Sequence, residues 1–371
     1  MGIEPIFNSE NWAAVPFHFW TLVFFVGGSI VGSFLNVCIH RMPLDQSLIS
    51  PPSHCPHCRY AIPWYLNIPL VTWLYLRGRC RHCAAPIAAR YFWVELLTAA
   101  LFAGVWLCYG RLSAWQAVVY AILIAGLIVA TFIDFEHYII PDEITLGGAA
   151  VGFVASFLLP ALHGQKSPAN GMRESLIGVA VGAGVIYGIL RLGKWVFGRQ
   201  KVKLEGETRV IFSETAVILP QQTIPYEELF YRQSDTIRLK ARTVELVDRG
   251  YPEVMVRLSP EKLHIGEDEF DPATVPHLEA QASELVLPRE AMGLGDVKFM
   301  AAIGAFLGWQ AVIFSLMLSS MLGAVVGVGA IALGRREWSS RMPYGPYIAM
   351  ATVVWMFGGR ELVSRWWAGS L

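Results

Sequence analysis

Charge is what this sequence has least of. Asp, Glu, Lys and Arg make up only 16% of its 371 residues, and 29 basic against 29 acidic side chains leave no net charge. Such a balance provides no basic footprint for a phosphate backbone, so nucleic acid is not expected as a partner. No internal repeat, low-complexity segment or GxGxxG dinucleotide fingerprint is present. No basic residue precedes the first apolar run and Arg41 follows it, the reverse of the pattern of a cleavable signal.

What fills the space is apolar: 54% of residues are hydrophobic and the mean hydropathy is +0.46. That composition lies outside the range of soluble domains and predicts a polytopic membrane protein. At roughly 20 apolar residues per crossing, the chain offers about eight spans, near 17–40, 91–109, 115–134, 143–162, 174–197, 295–308, 310–333 and 343–364. The sixth is short and Gly-interrupted, as a re-entrant or broken helix would be.

Orientation follows from Arg and Lys. The tail before the first span carries Glu4 and Glu10, whereas the next loop holds Arg41, Arg59, Arg77, Arg79, Arg81 and Arg90. That loop is expected in the cytoplasm. Alternating from it puts Arg199, Lys201, Lys203 and the Arg335-Arg336-Glu337 loop on the same side.

Inside the first loop, Cys55-Pro-His-Cys58 and Cys80-Arg-His-Cys83 form two CxxC knuckles. Two thiolates from each knuckle complete a closed tetrahedral Zn²⁺ site of the structural kind. A disulfide competes, but cytoplasmic thiols stay reduced. His54, His57 and His82 are read as bystanders, and Cys38 and Cys108, within apolar runs, as small buried hydrophobes.

Residues 198–290 differ from everything around them. They hold more than half of the Asp and Glu and alternate apolar with polar positions in TRVIFSETAVIL, TIRLKARTVELV and EVMVRL. This pattern predicts a soluble, strand-rich insertion, cut into short strands by turns at Gly206, Pro220, Gly250-Tyr251-Pro252, Ser259-Pro260 and Gly266. With only His264 and His277 as histidines it shows no catalytic constellation, so it is expected to dock or regulate. The chain thus divides into a first span (1–40), a knuckle loop (41–90), spans two to five (91–197), the insertion (198–290) and spans six to eight (291–371).

Two acids stand where charge is expensive. Asp134 ends the run AVVYAILIAGLIVATFID, and Asp296 lies within GLGDVK at the start of another apolar stretch. An ionisable group at the margin of a lipid-spanning helix marks a functional site by default. Two carboxylates sharing one proton can activate water and protonate an amide carbonyl together. Gly293 and Gly295 are expected to give close approach and positive φ beside Asp296. Lys298 either lowers a nearby carboxylate pKa or snorkels, and Asp142, after Pro141, is placed as a helix N-cap. Gly28, Gly32 and Ser33 permit close helix contact, and Asn36 can hydrogen-bond a neighbouring helix.

In order along the chain, GSFLNVCIHRMP, the paired knuckles, RYFWVELLTA, IDFEHYIIPD, REAMGLGDVK and MPYGPYIAMA resemble the bacterial type IV prepilin peptidase and N-methyltransferase family, which carries GxGD. The resemblance covers nearly the whole chain except the insertion, which is unusual for the family and whose partner it does not supply. It implies a multi-pass inner-membrane enzyme, all-α, with a cytoplasmic zinc loop. It also implies that Asp134 and Asp296 remove the leader of prepilins and of pilin-like type II secretion subunits after a glycine. S-adenosylmethionine would then methylate the new N-terminus, with Arg79, Arg90 and Glu95 as candidates; a Glu95–Arg90 pair is the structural alternative. Two rivals stay open. Presenilin-like and signal-peptide-peptidase-like proteases also use GxGD, but carry a PAL motif after it, whereas Pro160-Ala161-Leu162 comes before it here. An ion-coupled transporter is the other, although no paired set of interrupted segments supports it.

Overall fold

Runs of about 20 apolar residues satisfy their backbone in lipid as helices, and the computed structural model of the chain places helix in every run the sequence marks. The structure describes residues 15–197, 199–220, 223–226, 229–230, 235–246, 249–275, 277–288, 293–333 and 342–367. Glu4, Glu10 and the Arg335-Arg336-Glu337 loop lie outside these. The helices are α1 (Phe17–Arg41), a short α2 (Val71–Tyr75), α3 (Ala89–Tyr109), α4 (Ala114–His137), α5 (Asp142–Leu158), α6 (Pro168–Phe197), α7 (Leu294–Leu307), α8 (Trp309–Ala332), α9 (Gly345–Val354) and α10 (Arg360–Trp367). Among the described residues, five stretches are long and apolar enough to cross a membrane: Phe17–Leu44, Ala89–Tyr109, Ala114–His137, Pro168–Gly193 and Trp309–Ala332. The other three expected spans are shorter as helices, with 17 residues in α5, 14 in α7 and 10 in α9 before a π-turn.

Small residues let these helices approach until backbones touch. A Cβ on Gly32 of α1 would lie 2.8 Å from Glu95 Cα of α3. Where α6 crosses α7, a Cβ on Gly178 would lie 2.0 Å from the Gly304 carbonyl oxygen, so neither position has room for a side chain. α7 is consequently walled in, with Phe299, Met300, Ile303, Ala305 and Phe306 all buried. A helix apolar around its whole circumference belongs in such an interior. Cys38 is buried as expected, but Cys108, next to the last residue of α3, is exposed.

The other compact unit, Gly188–Gly293, starts ten residues earlier and ends three later than the composition boundary (198 − 188 and 293 − 290). It contains one antiparallel sheet in the order β3-β2-β1-β8-β4-β5-β6-β7. The strands are β1 (Arg199–Phe212), β2 (Ala216–Ile218), β3 (Thr223–Pro225), β4 (Ile237–Glu245), β5 (Gly250–Leu258), β6 (Leu263–Ile265), β7 (Asp268–Phe270) and β8 (Leu278–Pro288). Chain-distant β1 and β8 pair from Arg199↔Pro288 to Phe212↔Leu278, which closes the unit at its two ends. Alternation sends Ile237, Leu239 and Ala241 of β4, and a register shift after Ala241 sends Val244, into one core with Val210, Val256, Leu278 and Leu285.

Candidate active site and cysteine centre

Asp134 lies in the last turn of α4 and Asp296 in the first turn of α7, and both are buried, at 6% and 8% exposure. The Asp134 carboxylate accepts a 2.8 Å hydrogen bond from the Gly345 backbone N–H, the first residue of α9. It thus stands at a helix N-terminus, where orphan N–H groups and the helix dipole favour an anion. A Cβ on Gly345 would meet Asp134 Oδ2 at 2.8 Å, so only glycine leaves that bond undisturbed. Ile140 ties the two acids to one region. Its Cδ1 lies 3.2 Å from the position a Gly345 Cβ would take, and its Cβ lies 3.4 Å from the corresponding point on Gly295, the residue before Asp296. Neither Gly293 nor Gly295 has the positive φ expected of it, and Gly295 lies inside the helix that begins at Leu294, where a Cβ would meet Ile140 at an ordinary contact distance of 3.4 Å.

Two ion pairs frame this end of the helices. Lys298 Nζ donates to both oxygens of Asp142, at 2.6 and 2.9 Å. Lys298 thus has a carboxylate partner, Asp142. Asp142 is the first residue of α5 with Pro141 at the cap, and no side chain caps that terminus. The expected N-cap is corrected, since the carboxylate turns to Lys298 instead of its own backbone. Arg90, at the start of α3, pairs with Glu136, two residues beyond Asp134. The exit of the knuckle loop is thereby fastened beside the first aspartate.

The knuckles repeat one hydrogen-bond pattern. Cys55 N–H donates to the Tyr60 carbonyl and Arg59 N–H to that of Cys55; Cys80 N–H donates to Ala85 and Ala84 N–H to Cys80. Arg59 and Ala84 take positive φ, 56° and 57°, at equivalent places. Folded so, Cys55 and Cys83 sulfurs lie 3.8 Å apart, Cys58 and Cys80 sulfurs 4.0 Å apart, and all four within 4.8 Å of one another. Metal–sulfur bonds of about 2.3 Å at tetrahedral angles require sulfur–sulfur separations near about 3.8 Å, so the donor set fits Zn²⁺. No histidine joins this cluster, and His82 stacks on Tyr60 instead.

Glu95 does not pair with Arg90. Its Oε2 accepts the Leu70 N–H at 2.7 Å. Leu70 has φ 63° and ψ −52°, and Val71 N–H reaches the Pro69 carbonyl at 2.6 Å, which makes a strained γ-turn. A buried carboxylate on α3 therefore holds a turn of the knuckle region. Asn36 on α1 adds the helix-to-helix bond expected of it, from Nδ2 to the Tyr91 carbonyl at 3.1 Å. Beside that turn, Tyr60, Tyr65, Thr72, Tyr75 and Arg81 line a cavity of about 330 Å³. Arg79 contributes a backbone bridge to Pro86 at the second knuckle and is not among the residues lining the cavity. Sequence reasoning missed Gly345, Ile140 and this cavity; the glycine alone had a visible signal, in MPYGPY.

The bacterial peptidase A24 N-terminal domain matches residues 26–109. The type IV leader peptidase family matches residues 121–204 and 278–328, leaving the middle of the β-sheet unit unmatched. The chain is 30% identical over 377 residues to the prepilin leader peptidase/N-methyltransferase of Aeromonas hydrophila, covering 95% of each chain. It is 31% identical over 305 residues to that of Myxococcus xanthus, covering 82% of this chain and 61% of the relative. To that of Pseudomonas aeruginosa it is 26% identical over 360 residues, covering 90% and 89%. No solved structure matches. A chain that is so covered from end to end, with its peptidase segment split around a sheet, belongs to the type IV leader peptidase family.

Proposed function

We propose that this protein is a membrane-embedded aspartic endopeptidase and N-methyltransferase. It removes the leader peptide of type IV prepilins with Asp134 and Asp296, then methylates the new N-terminus. The observation that carries the peptidase assignment is that Ile140 lies against both Gly345, which holds the buried Asp134 carboxylate, and Gly295, the residue before the equally buried Asp296. Water is a poor nucleophile toward an amide. The ionised member of the pair takes its proton as it attacks the scissile carbonyl, while the protonated member donates to the carbonyl oxygen. The resulting diol collapses with proton return to the amine, and the pair titrates as one unit. The N–H of Gly345 holds one carboxylate oxygen of Asp134 in place.

In the membrane arrangement that fits, α5, α7 and the α9–α10 pair join the five long helices as eight crossings of the inner membrane. The knuckle loop and both aspartates then face the cytoplasm, following the Arg-rich loop. Cys55, Cys58, Cys80 and Cys83 hold one structural Zn²⁺, which shapes the loop and takes no part in bond making. S-adenosylmethionine supplies the methyl group. The cavity by the γ-turn suits it, since tyrosine faces stack on adenine or a sulfonium and Arg81 meets a carboxylate. Among the earlier candidates, Glu95 acts by holding Leu70, and Arg90 by holding Glu136; Arg79 stays close to the second knuckle. Pilin-like type II secretion subunits are substrates of the same chemistry.

Purified protein incubated with a prepilin, with and without S-adenosylmethionine, tests both activities by mass spectrometry of the product N-terminus. A cut after glycine and a methyl dependent on the donor are expected. An uncut prepilin, or equal cleavage by a chain lacking both aspartates, would refute the peptidase reading.

A further inference from the structure

At the end of the helices away from Asp134 and Asp296, the structure builds a second site. Tyr120 and Asp134 are separated by about 21 Å of α4, at 1.5 Å per residue. Around Tyr120 lies a cavity of about 200 Å³, closed by the ends of α3 and α7, the turn Pro160–His163 and the start of α10. No step of cleavage or methyl transfer uses it.

Its walls are polar and fixed. Tyr120 is 2% exposed, and Gln116 Nε2 donates to its phenol oxygen at 3.3 Å, which leaves the phenol proton to donate. Tyr109 donates to the Met356 carbonyl within the π-turn that leads to Arg360. His163 Nε2 is held by Ser156 Oγ at 2.8 Å. Burial pushes the His163 pKa down, against the pull of Glu174.

An arginine and a glutamate, Arg360 and Glu174, stand in the same walls. Both line the cavity, yet no ion pair joins them among the described residues; Glu174 instead meets its own neighbour Arg173, at 3.3 Å on the surface. Two opposite charges facing one cavity without meeting match a ligand that carries both signs at a separation of its own. Exposed apolar side chains lie at the same ends of the helices. Trp309 is 44% exposed, Trp115 66% and Leu112 74%, at helix ends where aromatic side chains suit the headgroup level of a bilayer.

We propose that this cavity binds the phosphoethanolamine headgroup of a membrane phospholipid, with its phosphate on Arg360 and Tyr120 and its ammonium on Glu174 and Gln165. A primary ammonium has N–H donors for a carboxylate and an amide oxygen. Choline has none, and glycerol has no positive charge for Glu174.

Native mass spectrometry of the full chain in detergent, titrated with equal amounts of phosphatidylethanolamine, phosphatidylcholine and phosphatidylglycerol, tests this. Phosphatidylethanolamine is expected to be retained preferentially, at one per chain. Arg360→Gln and Glu174→Gln are each expected to weaken that retention about tenfold or more, equivalent to about 1.4 kcal/mol, while both variants cleave prepilin as the unaltered chain does. Equal retention of the three lipids by the unaltered chain overturns the proposal whatever the variants do. So does an Arg360→Gln protein that cleaves normally and keeps the lipid. Soluble glycerophosphoethanolamine shares the headgroup chemistry, and binding of it in preference to the lipid would assign the site to a free ester and overturn the lipid assignment.

Discussion

Gly345 and Asp134 are joined at the candidate catalytic centre by a 2.8 Å bond from backbone to carboxylate. Gly345→Ala drives a methyl group into that carboxylate, and displacing a reacting group by about 1 Å costs about a hundredfold in rate. Prepilin cleavage should fall by that order while thermal unfolding of the purified protein moves little. Asp134→Asn and Asp296→Asn keep size and lose the shared proton, so each should lower cleavage by about a thousandfold or more with zinc content preserved. Asp142→Asn is the contrast. Its pair with Lys298 is 56% exposed on the Asp142 side, and such pairs contribute about 0–1 kcal/mol, so cleavage should stay within about tenfold of normal. If Asp142→Asn is inactive and Asp134→Asn is not, Asp142 is the partner of Asp296. At this scale the sequence marked both aspartates, because charge is costly at a lipid margin. It left Gly345 unmarked, because a glycine's role lies in what would collide with it.

Among the elements, the knuckle loop depends on its four sulfurs. Replacing any one of Cys55, Cys58, Cys80 or Cys83 by Ser removes a ligand from a loop with little apolar core. Zinc measured by elemental analysis should drop from one per chain to a small fraction, and protease sensitivity within 41–90 should rise. Active, reduced protein with no bound metal would contradict the assignment. The β-sheet unit is the opposite case, since its own core closes it from β1 to β8. Expressed alone as residues 188–293, it should give a β-type circular dichroism spectrum and a cooperative melt; a helical or unfolded spectrum would count against it. Its deletion should spare some cleavage, since neither aspartate is in it. Period-two alternation announced these strands, and the CxxC spacing announced the cluster. The γ-turn at Leu70 was not legible, because it exists only where Glu95 of another element takes the Leu70 N–H.

Over the whole membrane unit, stability rests on backbone contact between helices. Gly304→Val would put side-chain atoms where the Gly178 carbonyl oxygen lies 2.1 Å from a Cβ. α6 and α7 must then part, and overpacking of this kind costs about 1–3 kcal/mol or more. The apparent midpoint of thermal unfolding should drop and cleavage should fall with it, although Gly304 is more than two turns from Asp296. Gly184→Ala on α6 is the matched control, with nothing within 4 Å of its Cβ position. It should leave the midpoint unchanged or slightly raised, as helix propensity predicts.

The sequence alone determined the class of molecule, the places of its helices, the strand-rich insertion, the four sulfurs and the two acids. Each of these is written in local composition or spacing: apolar length, alternation, CxxC, and charge where charge is expensive. Tertiary structure decided which residues meet. It gave Lys298 to Asp142, Arg90 to Glu136 and Leu70 to Glu95, exposed Cys108, and set Arg360 and Glu174 around one cavity. Those choices join segments far apart in the chain, and the physical reason they are not legible is that they depend on how closely helices approach and which faces turn toward each other.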